Sequence, residues 1–330
     1  MEHTPLQRPF KQVDVFTNRP YFGNALAVVL DGAGLSTEDM QRFACWTNLA
    51  ETTFVLPPTP DAAAAGADYQ VRIFTTAYEM PFAGHPTLGS CHAWLEAGGT
   101  PHDPARIVQQ CQVGLVPILR EGGRLAFAAP PLTRRAPAPE LLAALAKAVG
   151  IRLEGVVAAQ HQNNGPSHFG VLLKDAQAVL ELEPDAMALH AWMIDAQVTG
   201  VGFAAVALVE YAHTASNLIA RGNREARAFQ SSSNSSDLST AATTPTEELS
   251  VEVRFFTRSG GVISEDPVTG SFNASLAQWL IAECYAPKTY IAAQGTVIGR
   301  EGRVHIAQDE QGQVWVGGDC VTCITGQVRL

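Results

Sequence analysis

One pattern in this 330-residue chain occurs twice and narrows the folds open to it. Residues 71–95 read VRIFTTAYEMPFAGHPTLGSCHAWL, and residues 253–280 read VRFFTRSGGVISEDPVTGSFNASLAQWL. Both begin Val-Arg-x-Phe-Thr, pass through a proline and a Gly-Ser pair, and continue with the apolar spacing of a helix. Aligned on these letters, His85-Pro86 matches Asp266-Pro267 and Gly89-Ser90 matches Gly270-Ser271, each at an offset of 181 residues. A weaker likeness joins residues 23–40 to residues 166–187. A duplicated strand-to-helix unit predicts two domains of one fold with a site between them. The length agrees, at a prior of about 150 residues per domain.

Hydrophobic residues make up 46% of the chain and charged residues 16%, enough to build two cores. The net charge of −10 argues against nucleic acid or an anionic membrane surface as a partner, because both select clustered Lys and Arg. No apolar run approaches the roughly 20 residues of a bilayer span, and no basic, then apolar leader opens the sequence. A cytoplasmic protein is therefore expected. Cys320 and Cys323 form a C-x-x-C, but no second ligand pair accompanies it. It reads as strand, so neither a metal nor a redox role is expected there.

Strands are predicted at 12–18, 24–32, 51–58, 69–76, 106–111, 113–119, 123–128, 154–160, 168–174 and 203–211, from short apolar runs bounded by turn residues. Helices are predicted at 36–48, 85–99 and 139–150; Ser36 with Asp39 fits a capping box, and Gly150 a C-terminal stop. The proline-rich 130–139 reads as the linker. The predicted domains are 1–130 and 131–319, with a last strand at about 320–330 returning to the first domain. The Ser/Thr-rich residues 222–248 read as a mobile loop.

The chemistry concentrates at the two repeated helix starts. A helix N-terminus exposes unpaired N–H groups and a positive dipole end, so two of them facing one cleft would hold a small anionic substrate such as a carboxylate. Gly84, Gly89, Ser90, Gly270 and Ser271 are the candidate binding residues, with Thr87 and Thr269 as ordinary caps in the plainer alternative. His85, Asp266 and Glu51 are the candidate proton carriers; burial of Glu51, between a helix end and an apolar strand, would raise its pKa. Phe272, directly after Ser271, is expected to narrow the cleft.

The segments VDVFTNRPYFGNALAVVL, NLAETTFVL, FAGHPTLGS and EDPVTGS, in this order and spacing, resemble the PhzF-like family of phenazine biosynthesis. The ending GTVIGREGRVHI to GQVWVGGDCVTCITGQVRL resembles that family too. The resemblance implies an α+β fold related to diaminopimelate epimerase: two similar domains, each a curved, mostly antiparallel sheet around a central helix. It implies an isomerase that uses no cofactor and no metal, like trans-2,3-dihydro-3-hydroxyanthranilate isomerase, and often a homodimer. By position it assigns proton transfer to Glu51, assistance to His85 and Asp266, carboxylate binding to Gly270 and Ser271, and a cleft position to Asn24. The epimerases place two cysteines at these helix starts, whereas this chain has His85 and Asp266 there. Rival readings are a silent binder of small carboxylates, a serine hydrolase using Ser271, His85 and Asp266, and an aspartic protease. The hydrolase lacks a G-x-S-x-G elbow, and the protease lacks an aspartate in the first copy.

Overall fold

The computed structural model describes residues 6–206, 249–259 and 262–330. The predicted loop at 222–248 and the end of the strand predicted at 203–211 lie outside these residues.

The elements run in two matching series. The first is β1 (Gln7–Val15), β2 (Asn24–Val29), α1 (Thr37–Thr47), β3 (Glu51–Leu56), α2 (Pro60–Ala64), β4 (Tyr69–Thr75), β5 (Glu79–Met80), α3 (Gly84–Glu96), β6 (Arg106–Cys111), β7 (Gly114–Glu121) and β8 (Arg124–Ala128). After β9 (Thr133–Arg135) and α4 (Pro139–Val149) the second follows: β10 (Val156–Asn163), β11 (Ser167–Leu173), α5 (Ala176–Leu180), α6 (Ala186–Asp195) and β12 (Gly200–Val206). It continues with β13 (Leu249–Ser259), β14 (Val262–Glu265), α7 (Gly270–Ala282), β15 (Thr289–Gln294), β16 (Gly302–Gln308) and β17 (Val314–Gly318), and β18 (Cys320–Arg329) closes the chain.

The pairings repeat as the elements do. β2 runs parallel to β3 across α1, and β11 runs parallel to β12 across α5 and α6. β4 pairs parallel with β6 across α3, and β13 with β15 across α7. The remaining neighbours are antiparallel, and β8 pairs with β17 to join the two series. The proline-rich segment read as a linker contains β9, which adds to β10 of the second series. In return β18 adds to β1 of the first, from Gln7 opposite Arg329 to Val15 opposite Cys320. Each series thus lends a strand to the other, which fixes how the halves face.

The two central helices share one core. Leu88 and Cys91 of α3, and Phe272, Leu276 and Trp279 of α7, belong to one buried cluster that includes residues of both series. Burying such a side chain stabilises by about 1.5–3 kcal/mol. Helix α1 covers the outer face of β2–β4 through Met40, Phe43 and Ala44, and α4–α6 cover β10–β13 through residues such as Leu145, Val179 and Trp192. No helix among the described residues is long and apolar enough to cross a membrane.

Candidate active site

Helices α3 and α7 are 13 residues each and meet at their first residues. A Cβ built on Gly84 would lie 3.0 Å from the Gly270 Cα, and one built on Gly270 would lie 3.1 Å from the Gly84 Cα. The near-equality of the two distances is the mark of a pseudo-twofold relation, and it revises the letter-by-letter alignment. In space Gly84 corresponds to Gly270 and His85 to Ser271, five residues earlier in the first copy than the Gly-Ser match implies. Gly89 and Ser90, expected at the cleft, face the sheet instead. A Cβ on Gly89 would lie 2.6 Å from Leu26 Cδ2, and the Ser90 hydroxyl donates to Thr53 Oγ1 at 2.8 Å. Phe272 is fully buried against Phe255, with ring centroids 4.9 Å apart, so it fills the core rather than narrowing a cleft.

Neither helix start is capped by a side chain. The Thr87 hydroxyl donates to the Ala83 carbonyl at 2.9 Å, and the Thr269 hydroxyl donates to Asp266 Oδ2 at 2.6 Å. The capping alternative therefore does not describe these threonines. Two positive helix ends abut, and each leaves first-turn N–H groups without a side-chain acceptor. Replacing Gly270 by Ala would push the helix starts apart, and overpacking of this kind costs about 1–3 kcal/mol. Gly270→Ala is expected to lower thermal stability and weaken binding of any carboxylate ligand, read by calorimetric unfolding and titration.

The other candidates reach the junction from separate elements. Glu51 opens β3 after α1 ends at Asn48, whose positive φ of 57° turns the chain. Thr47 and Thr52 fasten that turn, their hydroxyl oxygens 3.0 Å apart. His85 Nε2 lies 3.2 Å from Glu51 Oε2, and the two side chains are only 7% and 16% exposed. The geometry is not that of an aligned hydrogen bond, and neither atom has another partner. Burial, reinforced by the negative charge of Asp266, raises Glu51 to about 8, and burial lowers His85 to about 3. At pH 7 the pair is a protonated carboxyl beside a neutral imidazole.

Asn24, at the start of β2, joins the two halves. Its amide donates to Asp266 Oδ1 and to the Val268 carbonyl, both at 2.9 Å, and lies 3.4 Å from His85 Nδ1. Burial raises the Asp266 pKa, opposed by its hydrogen bonds from Thr269 and Asn24. Ser271 follows Gly270 at the junction, and its carbonyl accepts from Asn164 Nδ2 at 2.8 Å. The structure thus brings Asn24, Glu51, Gly84, His85, Asp266, Gly270 and Ser271 together, and leaves Gly89 and Ser90 on the sheet side.

Sequence reasoning missed the groups that hold this arrangement. Gln294 is fully buried; its amide donates to the Asp266 carbonyl and to Thr269 Oγ1, each at 3.0 Å, and its oxygen accepts from the Thr269 N–H and from Asn273. Its one signal is a polar residue ending the apolar run TYIAAQ. Arg254 grips Glu265 with Nε to Oε1 at 3.0 Å and Nη2 to Oε2 at 2.7 Å. The neighbouring carboxylates of the EDP motif therefore divide their work: Glu265 anchors the turn and Asp266 enters the site. Among the described residues no group of three His, Cys, Asp or Glu is placed to hold a metal ion.

The sequence model of the PhzC-PhzF family, described as phenazine biosynthesis-like protein, matches residues 13–326. Antisense-enhancing sequence 1 of Schizosaccharomyces pombe is 29% identical over 97% of this chain and 98% of its own length. A trans-2,3-dihydro-3-hydroxyanthranilate isomerase of Pseudomonas aeruginosa is 37% identical over 54% of this chain and 61% of its own. The crystal structure of a Bacillus anthracis phenazine biosynthesis protein of the PhzF family superposes with a TM-score of 0.74 at 22% identity, covering 98% of this chain and all of that one. A probable proline racemase from Agrobacterium radiobacter K84 superposes at 0.58 and 11% identity, over 98% and 93% of the two chains, so the fold extends to that class. With its family model matched over nearly its whole length and a solved member superposing end to end, the chain belongs to the PhzC-PhzF family of phenazine biosynthesis-like proteins.

Proposed function

We propose that this chain is an isomerase that moves a proton between carbons of a small carboxylate-bearing substrate without a cofactor, similar to the named isomerase of Pseudomonas aeruginosa. The observation that carries the reading is the buried Glu51–His85 pair, its facing atoms 3.2 Å apart and without other partners, beside two uncapped helix starts. The helix starts hold the substrate carboxylate through backbone N–H groups at Gly84, His85, Gly270 and Ser271. Glu51 gives its proton to one carbon of the substrate and, as a carboxylate, takes a proton from another. The substrate is rearranged and Glu51 is restored, with no net oxidation. His85 stays neutral and orients Glu51, and Asp266, held by Asn24 and Thr269, positions the substrate's polar groups. A silent binder would use the helix ends alone and has no need of a carboxyl held protonated near neutrality.

The pKa direction tests the order of events. With Glu51 at about 8, the free enzyme holds the proton at neutral pH and acts first as an acid. For trans-2,3-dihydro-3-hydroxyanthranilate, kcat/KM is expected to be flat near pH 7 and to fall as pH rises through about 8. A profile that instead rises through this range would make Glu51 a base in the first step. Failure of this acid and of related amino and hydroxy acids to give any isomer would count against the function.

A further inference from the structure

We propose that a cavity beside α1, away from the helix junction, is a second ligand site and that it takes a small aromatic carboxylate. The cavity has a volume of about 400 Å³, and its walls include Arg8, Leu35, Arg42, Phe43, Trp46 and Arg329. The protein carries a net charge of −10, so three arginines converging on one cavity stand out. Arg8 is 5% exposed; its Nη1 donates to the Asp31 carbonyl at 2.6 Å and lies 3.4 Å from Asp31 Oδ2. Its Nε is buried with no acceptor. A buried guanidinium with an unused donor is costly unless something fills it, and a carboxylate oxygen is a strong acceptor for it. Arg329 is exposed, and its guanidinium makes no hydrogen bond or ion pair with a described residue.

The remainder of the wall suits a flat ring. Phe43 and Trp46 are stacked, with centroids 6.3 Å apart and planes 24° from parallel. Trp46 is nonetheless 79% exposed, so its outer face lies open to stack on a ligand. The one acidic side chain among the lining residues, Asp39, is paired with Arg42 at 2.7 Å. Its charge, with that of Asp31 beside Arg8, opposes a dianion more than a monoanion, which favours a carboxylate over a phosphate monoester.

The test titrates the full chain with benzoate and 1-naphthoate at low salt, by calorimetry and tryptophan fluorescence, with phenyl phosphate and the cation benzamidine as comparisons. Saturable binding of the acids is expected, with quenching that Trp46→Ala removes. Arg329→Ala is expected to weaken binding about tenfold, the loss of about 1.4 kcal/mol that one charge-assisted contact represents. Both replaced side chains are exposed, so the variants should keep the fold, checked by circular dichroism. Three results would overturn the site: no saturable binding, equal binding of benzamidine, or acid binding unchanged in both variants, which would place the ligand elsewhere. Tighter binding of phenyl phosphate than of benzoate would overturn the choice of carboxylate. The binding claim is independent of the isomerase reading, because neither variant touches Glu51, His85 or the helix starts.

Discussion

Glu51→Gln is expected to reduce turnover by at least about 10²-fold, the lower range for loss of a general acid–base group, while leaving the fold and carboxylate binding intact. Gln keeps the size of the side chain and loses the proton. The same variant is expected to be more stable than the parent in alkaline solution. Glu51 moves from its ordinary 4.5 to about 8 on folding, so between these values the folded chain binds more protons than the unfolded chain. Stability therefore falls as pH rises through that window, and Gln removes the slope. His85, lowered from 6.5 to about 3, contributes a loss in the other direction as pH falls below 6.5. Melting curves of parent and variant from pH 6 to 9 should diverge with rising pH, by at least about 2 °C at pH 8. Parallel curves would show that Glu51 is ionised in the resting protein. A stability gain coupled to lost activity is the usual sign of a site held in an unfavourable state for its chemistry.

Arg254→Ala is expected to cost about 3–5 kcal/mol, because it leaves the Glu265 carboxylate buried and unpaired. The two side chains are 5% and 8% exposed. Arg254 also donates through Nη1 to the Val179, Leu180 and Leu182 carbonyls, at 3.3, 3.2 and 2.8 Å. One guanidinium thus ties β13 and β14 to the end of α5. The repeat supplies an internal control. Arg72 grips Glu79 in the same two-pronged way and lies over Phe74 as Arg254 lies over Phe256, at 5.1 and 5.0 Å. The Arg72 pair is 23% and 17% exposed, so Arg72→Ala should cost far less, about 1 kcal/mol. Urea unfolding of the two variants measures the difference. Equal losses would mean that burial does not set the strength of these pairs. Asp266 directly follows Glu265, so Arg254→Ala should also impair any activity of the remaining folded protein.

The duplicated fold was legible because its repeat is local: Val-Arg-x-Phe-Thr marks β4 and β13, and a helix follows each. The helices matched in length and type, but the letters misled at their starts. Gly89-Ser90 copies Gly270-Ser271 in sequence, yet the second copy carries four more residues between its arginine and its glutamate, from Arg254 to Glu265 against Arg72 to Glu79. This shifts the spatial match to Gly84-His85. The helices α5 and α6 were missed, being short and apolar nearly all round, and β9 was hidden in a proline-rich stretch read as linker. Glu51, His85 and Asp266 could be named because each sits in a short motif beside an element boundary, and Asn24 through the family resemblance. Gln294 and Asn164 could not, since each acts on a residue that only the folded chain brings near, and Arg254, eleven positions before Glu265, read only as a letter of the strand motif. Asn24 reaches Asp266 across 242 positions of sequence, a contact no local pattern encodes.

Proton transfer itself is tested most directly by incubating the protein with trans-2,3-dihydro-3-hydroxyanthranilate and a panel of related acids in D₂O and following the products by NMR. Rearranged product is expected, with deuterium at carbon, at a rate abolished in Glu51→Gln. Product formation that survives in Glu51→Gln, or an unchanged substrate across a panel shown by titration to bind at the helix junction, would contradict it.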